Sequence, residues 1–226
     1  MRVVAIDGPA GAGKSTAARR LAAALSVPYL DTGAMYRSVA FAALQRGIDP
    51  SDTEAVADIA RHVLIEIGDQ IIVDGVDATE AIRGADVTRA VSAVAANTAV
   101  RDEMRTRQQA WAVHSGGGVA EGRDIGTVVF PNALVKAYVT ARPEVRAKRR
   151  FDEIARQQSS DDMQTVEEIA ADIERRDRID STRADSPLRA ASDAVVIDTS
   201  DRTVAEVVDE LVALFETALA VETETK

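Results

Sequence analysis

The chain has 226 residues, of which 46% are hydrophobic and 28% charged, a balance typical of a globular protein and not of a disordered or collagen-like one. It contains no cysteine and two histidines, which excludes a disulfide framework, a thiolate nucleophile and a zinc–thiolate site. Its net charge of −10 provides no basic field for a polynucleotide or an anionic membrane, and we expect neither as a partner.

The first predicted elements are a buried strand, a glycine-rich loop and a helix. Val3–Ile6 is a short apolar run of the kind found in parallel strands that are covered on both faces. Apolar residues recur at helical spacing over Lys14–Leu25, and Pro28 separates this helix from a short strand at Tyr29–Asp31. The order of strand, loop, helix and strand favours a parallel α/β sheet.

A second helix is predicted at about Met35–Arg46, and a segment with strand periodicity follows it. Ile65–Ile67 and Ile71–Val73, with turn residues at Gly68-Asp69 and Asp74-Gly75, predict a small antiparallel hairpin. Because the hairpin lies among helices, we interpret this region as an inserted subdomain.

The middle of the chain returns to alternating helices and strands. A helix is predicted to contain Arg101–Trp111, and two further core strands are expected at Val119–Glu121 and Leu134–Val139. Arg146–Ile154 has a helical pattern. This alternation extends the parallel sheet.

The last third begins with a polar linker, Gln157–Asp162. Thr165 and Glu168 have the spacing of a capping box, which predicts the start of a charged helix that ends near Arg178. This arm has few apolar residues, so we expect it to form a mobile lid. A strand at Ala194–Asp198 and a helix with one apolar stripe complete the fold.

The loop after the first strand fits the phosphate-binding pattern G-x-x-x-x-G-K-[ST]. Glycines let backbone N–H groups turn toward an anion, and the helix N-terminus adds its dipole. Chance would produce the pattern in about one chain in a hundred of this length, and its position after a strand makes chance rarer. We therefore predict a nucleoside triphosphate site formed by Gly8, Pro9, Ala10, Gly11, Ala12, Gly13, Lys14, Ser15 and Thr16.

Within this P-loop, Lys14 is expected to reach the β- and γ-phosphates and the Ser15 hydroxyl to bind Mg²⁺. Asp31 ends a strand and is a candidate to hold Mg²⁺ through a water, since magnesium keeps several waters in such sites. The chain has no N-K-x-D guanine-reading motif, which disfavours a GTPase. A P-loop alone leaves kinases, ATPases and regulatory nucleotide-binding proteins open.

Three further motifs accompany the P-loop. They are Asp31-Thr32-Gly33-Ala34-Met35-Tyr36-Arg37, the run Glu121–Pro131 with the string G-R-D-x-G-T-V-V-F-P, and Arg176-Asp177 with Asp180 and Arg183 before Ser186-Pro187-Leu188. With these motifs the chain resembles bacterial cytidylate kinases over nearly its whole length. The G-R-D string is highly specific to that family among nucleoside monophosphate kinases, whereas D-T-G and the P-loop are shared more widely.

The resemblance implies that the γ-phosphoryl group of ATP is transferred to CMP, and to dCMP, with Mg²⁺ as cofactor. It implies one kinase unit whose core is a P-loop parallel β-sheet flanked by helices, at about residues 1–32, 101–150 and 189–226. A nucleoside monophosphate-binding insertion with a small antiparallel sheet would span residues 33–100, and a short mobile lid residues 151–188. We expect a monomer in the cytoplasm.

The family pattern also implies roles for single residues. Arg37 and Arg123 would hold the CMP phosphate, Arg176 would reach the phosphates from the lid, and Asp180 and Arg183 would address the sugar. With Lys14, these four arginines are the expected catalytic residues.

The same family pattern implies that Ser92, Arg101 and Asp124 bind the cytosine base. Asp124 would accept from the exocyclic amine and Arg101 would donate to the ring acceptors, so that uracil would be rejected. Thr32 stands where relatives often carry serine, and Gly33 and Tyr36 complete the expected CMP site.

Two other functions compete with this one. A related P-loop kinase would act on UMP, AMP or a nonnucleotide alcohol, and the alcohol would need a general base. A regulatory protein would bind ATP, hydrolyse little of it and lack the acceptor arginines, which are present in this chain.

Overall fold

The computed structural model describes residues 2–157 and 164–224, and these divide into two compact units. The insertion unit comprises residues 30–117, and the P-loop unit comprises residues 2–29 together with those from 118 onward. The predicted α/β class is confirmed. The strands are β1 Arg2–Asp7, β2 Tyr29–Asp31, β3 Ile65–Ile67, β4 Ile71–Val73, β5 Val76–Asp77, β6 Gly117–Gly122, β7 Val135–Thr140 and β8 Val195–Asp198. The α-helices are α1 Lys14–Leu25, α2 Thr32–Gln45, α3 Thr53–His62, α4 Ala85–Ala96, α5 Thr98–Ser115, α6 Pro143–Gln157, α7 Val166–Thr182 and α8 Val204–Glu224.

Five strands form one sheet in the order β2, β6, β1, β7, β8. β1 and β7 pair in parallel with Val4 opposite Val135, and β7 and β8 pair in parallel with Ala137 opposite Val195. The last five residues of β1 are buried, as the apolar run predicts for a strand covered on both faces. Its apolar residues pack with Leu21 of α1 and Leu211 of α8 in the main core of this unit.

The insertion unit combines four helices, α2 to α5, with a small antiparallel sheet in the order β3, β4, β5. The predicted hairpin is present, but a third strand extends it. Asp74 and Gly75 lie at φ +50° and +80° between β4 and β5, and Asp and Gly are residues that tolerate such turn conformations. α2 begins at Thr32, three residues earlier than predicted, because the Asp31 carboxylate caps it by accepting a hydrogen bond from the Ala34 N–H at 2.9 Å.

α7 lies in the predicted arm and packs on α6, the helix that precedes the linker. The predicted capping box is confirmed, since the Thr165 Oγ1 accepts from the Glu168 N–H and the Glu168 carboxylate accepts from the Thr165 N–H. Of the predicted linker Gln157–Asp162, the residues after Gln157 lie outside the described part of the chain. None of the helices in residues 2–157 and 164–224 combines the length and the apolar character that a membrane crossing requires.

Candidate active site

The P-loop of residues 8–16 joins β1 to α1, and its backbone explains its glycines. Gly8 lies at φ +146°, and a Cβ there would stand 1.9 Å from the carbonyl oxygen of Val139, so no other residue fits without moving β7. Gly13 lies at φ +89° at the N-terminus of α1. The turn of backbone ahead of a helix N-terminus is therefore formed as the motif predicts.

Lys14 is buried at the start of α1, and its Nζ donates a hydrogen bond to the carbonyl oxygen of Pro9 at 2.7 Å. Burial and the positive charge of Arg123 lower the pKa of Lys14 to about 7, against the opposing effect of Glu121. The ammonium group is thus held in a place where positive charge is unfavourable. A bound anion such as a phosphate would stabilise the protonated form of Lys14 and raise its pKa.

Arg123 and Asp124 follow β6 directly and lie before a single π-helical turn, Ile125–Val129. The Arg123 Nε donates to Asp180 Oδ2 of α7 at 2.9 Å, and Arg183 lies 3.7 Å from carboxylate oxygens of both Asp124 and Asp180. All four side chains are mostly buried. The structure therefore brings these four predicted site residues into one charged network.

Arg176 of α7 belongs to the same region. Burial and the positive charge of Arg123 lower the pKa of the Arg176 guanidinium. Lys14 and Arg176 both experience the charge of Arg123. Three cations gathered in this way, against their own repulsion, form a site for a polyanion.

Two residues without an assigned role link α6 and α7 to the P-loop. Arg146 donates to the carbonyl oxygen of Ala10 at 3.1 Å and forms an ion pair with Asp177. The Ala10 N–H in turn donates to Asp177 Oδ1 at 3.3 Å. Both residues lie on helices, as the sequence predicted, but their sequence positions gave no sign that they would pair across 31 residues.

The insertion unit holds the other predicted acceptor residues. Arg37 on α2 donates to the carbonyl oxygen of Ile82 at 3.0 Å and to the hydroxyl of Thr88 at 2.9 Å. Arg101 on α5 is 2% exposed, donates to the carbonyl oxygen of Ala95 and lies with its guanidinium 5.5 Å from the ring centre of Tyr36. The two arginines are therefore held in place by backbone oxygens and an aromatic face.

The remaining residues assigned to this unit lie on two helices. Thr32 is buried in the first turn of α2 beside Gly33, and Ser92 is half-buried on α4. Asp31 caps α2 and lies 3.8 Å from Arg83. The Asp31 carboxylate is therefore already engaged by a backbone N–H group and a guanidinium group.

The donor set at the P-loop fits a magnesium ion that arrives with phosphates. Ser15 is exposed at the start of α1, so its hydroxyl can reach a ligand. Within the described residues, no three or more His, Cys, Asp or Glu side chains gather in a way that could hold a metal ion by themselves. Magnesium in such a site takes its remaining ligands from phosphates and water.

Two buried carboxylates at the ends of neighbouring strands were not predicted from the sequence as site residues. Glu121 ends the buried part of β6 and accepts a hydrogen bond from the Tyr29 hydroxyl at 2.5 Å. Asp7 ends β1 and accepts hydrogen bonds from the N–H groups of Ile125 and Gly126. An acidic residue directly after an apolar strand was the signal for both, since ligands bind beyond the carboxyl ends of parallel strands.

The family model and the curated relatives that match this chain all point to one family. The family model described as cytidylate kinase matches residues 4–217. The chain is 51% identical to the cytidylate kinase of Mycolicibacterium paratuberculosis over 92% of both chains. It is 48% identical to that of Corynebacterium efficiens, over 95% of this chain and 94% of the relative, and 48% identical to that of Geobacillus kaustophilus, over 93% and 95%.

A solved structure supports the fold alone. The crystal structure of an uncharacterized protein from Eubacterium ventriosum matches with a TM-score of 0.53 and 11% identity, over 96% of this chain and 99% of that chain.

Proposed function

The chain belongs to the cytidylate kinase family and is an ATP-dependent nucleoside monophosphate kinase that converts CMP to CDP; we propose that dCMP is a second acceptor and that the residues described above divide the work. The observation that carries this assignment of residues is the cluster of Lys14, Arg123 and Arg176, three cations held together in one unit. Such a cluster is suited to a reaction between two polyanions.

The reaction itself needs no general base. The second pKa of a phosphate monoester is near 6, so the attacking oxygen of CMP is already ionised at pH 7. The difficulty lies in bringing two anionic groups together, and catalysis depends on positioning and on cations around the transferred group. A chain with two histidines and 27 lysines and arginines has the side chains for this task.

In the P-loop unit, Lys14 would neutralise the β- and γ-phosphates, and Arg123 would hold the phosphate of CMP. Arg176 and Arg183 would stabilise charge from α7 and the residue that follows it, and Asp180 would address the sugar. The ion pairs of Arg123 and Arg183 with Asp180 support this assignment, because they hold both guanidinium groups in defined positions.

In the insertion unit, Arg37 would bind the phosphate of CMP, and Arg101 would donate to the acceptor atoms of cytosine. Asp124 of the P-loop unit would accept from the exocyclic amine, and Ser92 and Thr32 would add hydroxyl contacts. Uracil carries an acceptor where cytosine carries that amine, so a carboxylate favours CMP over UMP.

We propose Mg²⁺ as the cofactor, with the Ser15 hydroxyl as its protein ligand and Asp31 as a contact through water. When bound, magnesium neutralises charge on the transferred phosphate and orients it. Lys14 and the arginines supply the remaining positive charge. We further propose that the protein works as a monomer in the cytoplasm.

The assay that tests this function is ADP formation from ATP and Mg²⁺ with CMP, dCMP, UMP, AMP or no acceptor, run in parallel. We expect turnover with CMP and dCMP of about 1–100 per second, with UMP far behind. Bound ATP without any acceptor-dependent ADP formation would contradict the proposal and favour a regulatory nucleotide-binding protein. Faster turnover with UMP or AMP would move the base assignment away from Asp124 and Arg101.

A further inference from the structure

Asp7 makes two hydrogen bonds that join the P-loop strand to the segment carrying Arg123 and Asp124. It is the last residue of β1, stands immediately before Gly8 and is 4% exposed. Its Oδ1 accepts from the Ile125 N–H and its Oδ2 from the Gly126 N–H, each at 2.8 Å. One carboxylate thus holds two successive backbone groups.

These bonds supply a cap that the local sequence lacks. The π-helical turn Ile125–Val129 receives no side-chain hydrogen bond from Asp124, the residue that precedes it. Its first N–H groups are buried and need an acceptor, and Asp7 provides one from a strand 118 residues earlier. Gly126 leaves room for the approach, since a Cβ there would lie 3.4 Å from Asp7 Oδ2 and 3.2 Å from Lys136.

Both oxygens of Asp7 are engaged by backbone N–H groups, so this carboxylate is poorly placed to act as a base or to bind a ligand. Its two hydrogen bonds fix the position of the turn Ile125–Val129, and Arg123 and Asp124 directly precede that turn. At the other end Asp7 is covalently joined to the loop that carries Lys14. The connection therefore runs through one side chain from the P-loop to the Arg123-Asp124 segment.

We propose that Asp7 is a positioning residue, whose carboxylate holds the Arg123-Asp124 segment in register with the P-loop during phosphoryl transfer. The inference rests on the proposed function, in which Arg123 holds the CMP phosphate and Asp124 reads the base. A shift of this segment would therefore affect turnover and base preference together, and the P-loop much less.

The test is Asp7→Asn, which is nearly the same size but retains one acceptor oxygen and presents an NH₂ group to the second backbone N–H. The measurements are kcat and KM for CMP and for UMP, and the Kd of ATP by calorimetry without CMP. We expect kcat with CMP to fall about 10- to 100-fold, because a misplacement of about 1 Å can cost that much. The ratio of kcat/KM for CMP over UMP should narrow, while the Kd of ATP should change by less than about threefold.

Asp198→Asn is the matched control, since Asp198 also ends a parallel strand and accepts a backbone N–H, that of Ser200 at 2.8 Å, but lies on exposed β8. We expect it to keep both kcat and the base preference. If Asp7→Asn keeps the wild-type CMP over UMP ratio, whether or not kcat falls, the positioning role is wrong. If the wild-type protein itself does not phosphorylate CMP, the proposed function fails instead.

A second variant covers the case in which Asp7→Asn does not fold. Asp7→Glu keeps the charge and moves the carboxylate by one methylene group, so it tests the same two bonds. We expect a narrowed CMP over UMP ratio here as well, and an unchanged ratio in the folded variant would overturn the proposal.

Discussion

Lys14 is kept in the P-loop at an electrostatic cost to the folded protein. Burial and the nearby charge of Arg123 lower the pKa of Lys14 to about 7. At neutral pH the folded protein without ligand therefore holds this proton much less firmly than an exposed lysine does. We therefore attribute the presence of a buried ammonium group at this position to ligand binding. Its value should therefore appear in catalysis and not in stability.

We predict that Lys14→Ala lowers the single-turnover rate about 100- to 1000-fold, as the loss of one such stabilising group does in other sites. The melting temperature should not fall, because the substitution removes a buried cation. Lys148→Ala, at a side chain that is 75% exposed, is the control and should change neither quantity. Transfer near the wild-type rate in Lys14→Ala would contradict the role given to this residue.

Asp124 is the residue on which the preference for cytosine depends in our proposal. Asp124→Ala should lower kcat/KM for CMP and narrow its advantage over UMP by about tenfold or more, since one specific base contact contributes about 1–3 kcal/mol. Asp193→Ala, which removes an exposed carboxylate paired with Lys136, should leave the ratio unchanged. An equal loss with both nucleotides would show that Asp124 does not read the base.

Asp7 gives the protein a stability that depends on pH. Burial raises its pKa from 3.8 to about 6, because desolvation of the carboxylate outweighs the two N–H groups that favour its charged form. Lys14, Asp124 and Tyr138 are the other charged or titratable groups that act on it. Between pH 4 and pH 6 the folded protein therefore holds a proton at Asp7 that the unfolded chain has released.

Stability contributed by that proton is present below about pH 4 and is lost as the pH rises through about 6. We predict that the unfolding free energy of the wild-type protein, relative to Asp7→Asn, falls by at most about 3 kcal/mol over this range. Urea unfolding of both proteins at pH 4, 5, 6 and 7 measures the difference. A difference that is constant with pH would be inconsistent with the raised pKa.

At the level of elements, α7 is held to the P-loop and α6 by charged contacts as well as by apolar packing. Its buried apolar residues are Ile169 and Ile173, whereas Asp177 binds both Arg146 and the N–H of Ala10. Removing the charge of Asp177 should therefore loosen the helix without unfolding the sheet.

We predict that Asp177→Asn increases amide hydrogen exchange of residues 166–182 about tenfold, since a hydrogen bond to a charged group contributes about 1.5–3 kcal/mol. Asp172→Asn is the matched control on the same helix, because Asp172 pairs with Arg175 one turn away and is half exposed. Exchange rates in Asp177→Asn equal to those of the control would mean that this ion pair does not hold α7.

Elements with local signals were predictable from the sequence. α1 was predicted with its observed bounds, since the P-loop fixes its start and Pro28 follows its end, and the Thr165–Glu168 capping box was correct because both partners lie within one turn. Arg123, Asp124, Asp180 and Arg183 were found as motif residues, and the structure brings them together. Asp7 with Ile125, and Arg146 with Asp177, were not found because those contacts depend on tertiary structure that has no local pattern.

At the level of the whole molecule, the acidic net charge and the placement of the arginines act together. The basic cluster of α6 offers little free charge: Arg146 pairs with Asp177, Arg150 with Glu153 and Lys148 lies 3.7 Å from Asp152. Arg149 donates to Thr199. These four basic side chains of α6 therefore already have acidic or polar partners within the protein.

We predict no binding of a labelled 30-base-pair DNA duplex at protein concentrations up to about 10 μM in 150 mM salt, because a net charge of −10 repels the phosphate backbone. Fluorescence anisotropy measures the binding directly. The positive control is a Lys/Arg-rich peptide, which must bind the same duplex under the same conditions. Salt-sensitive binding by the protein would show that a local basic surface overrides its net charge.

The pairing of Val4 with Val135 also has a consequence for the way the protein is made. β1 leaves the ribosome before its neighbour β7, which follows only after the whole insertion unit of residues 30–117. At about 5–20 residues per second, the P-loop strand waits about 7 to 26 seconds for that partner. An apolar strand without its neighbours is a template for wrong pairing. During synthesis, the strand that leads into the P-loop is therefore without β7 until the whole insertion unit has been made.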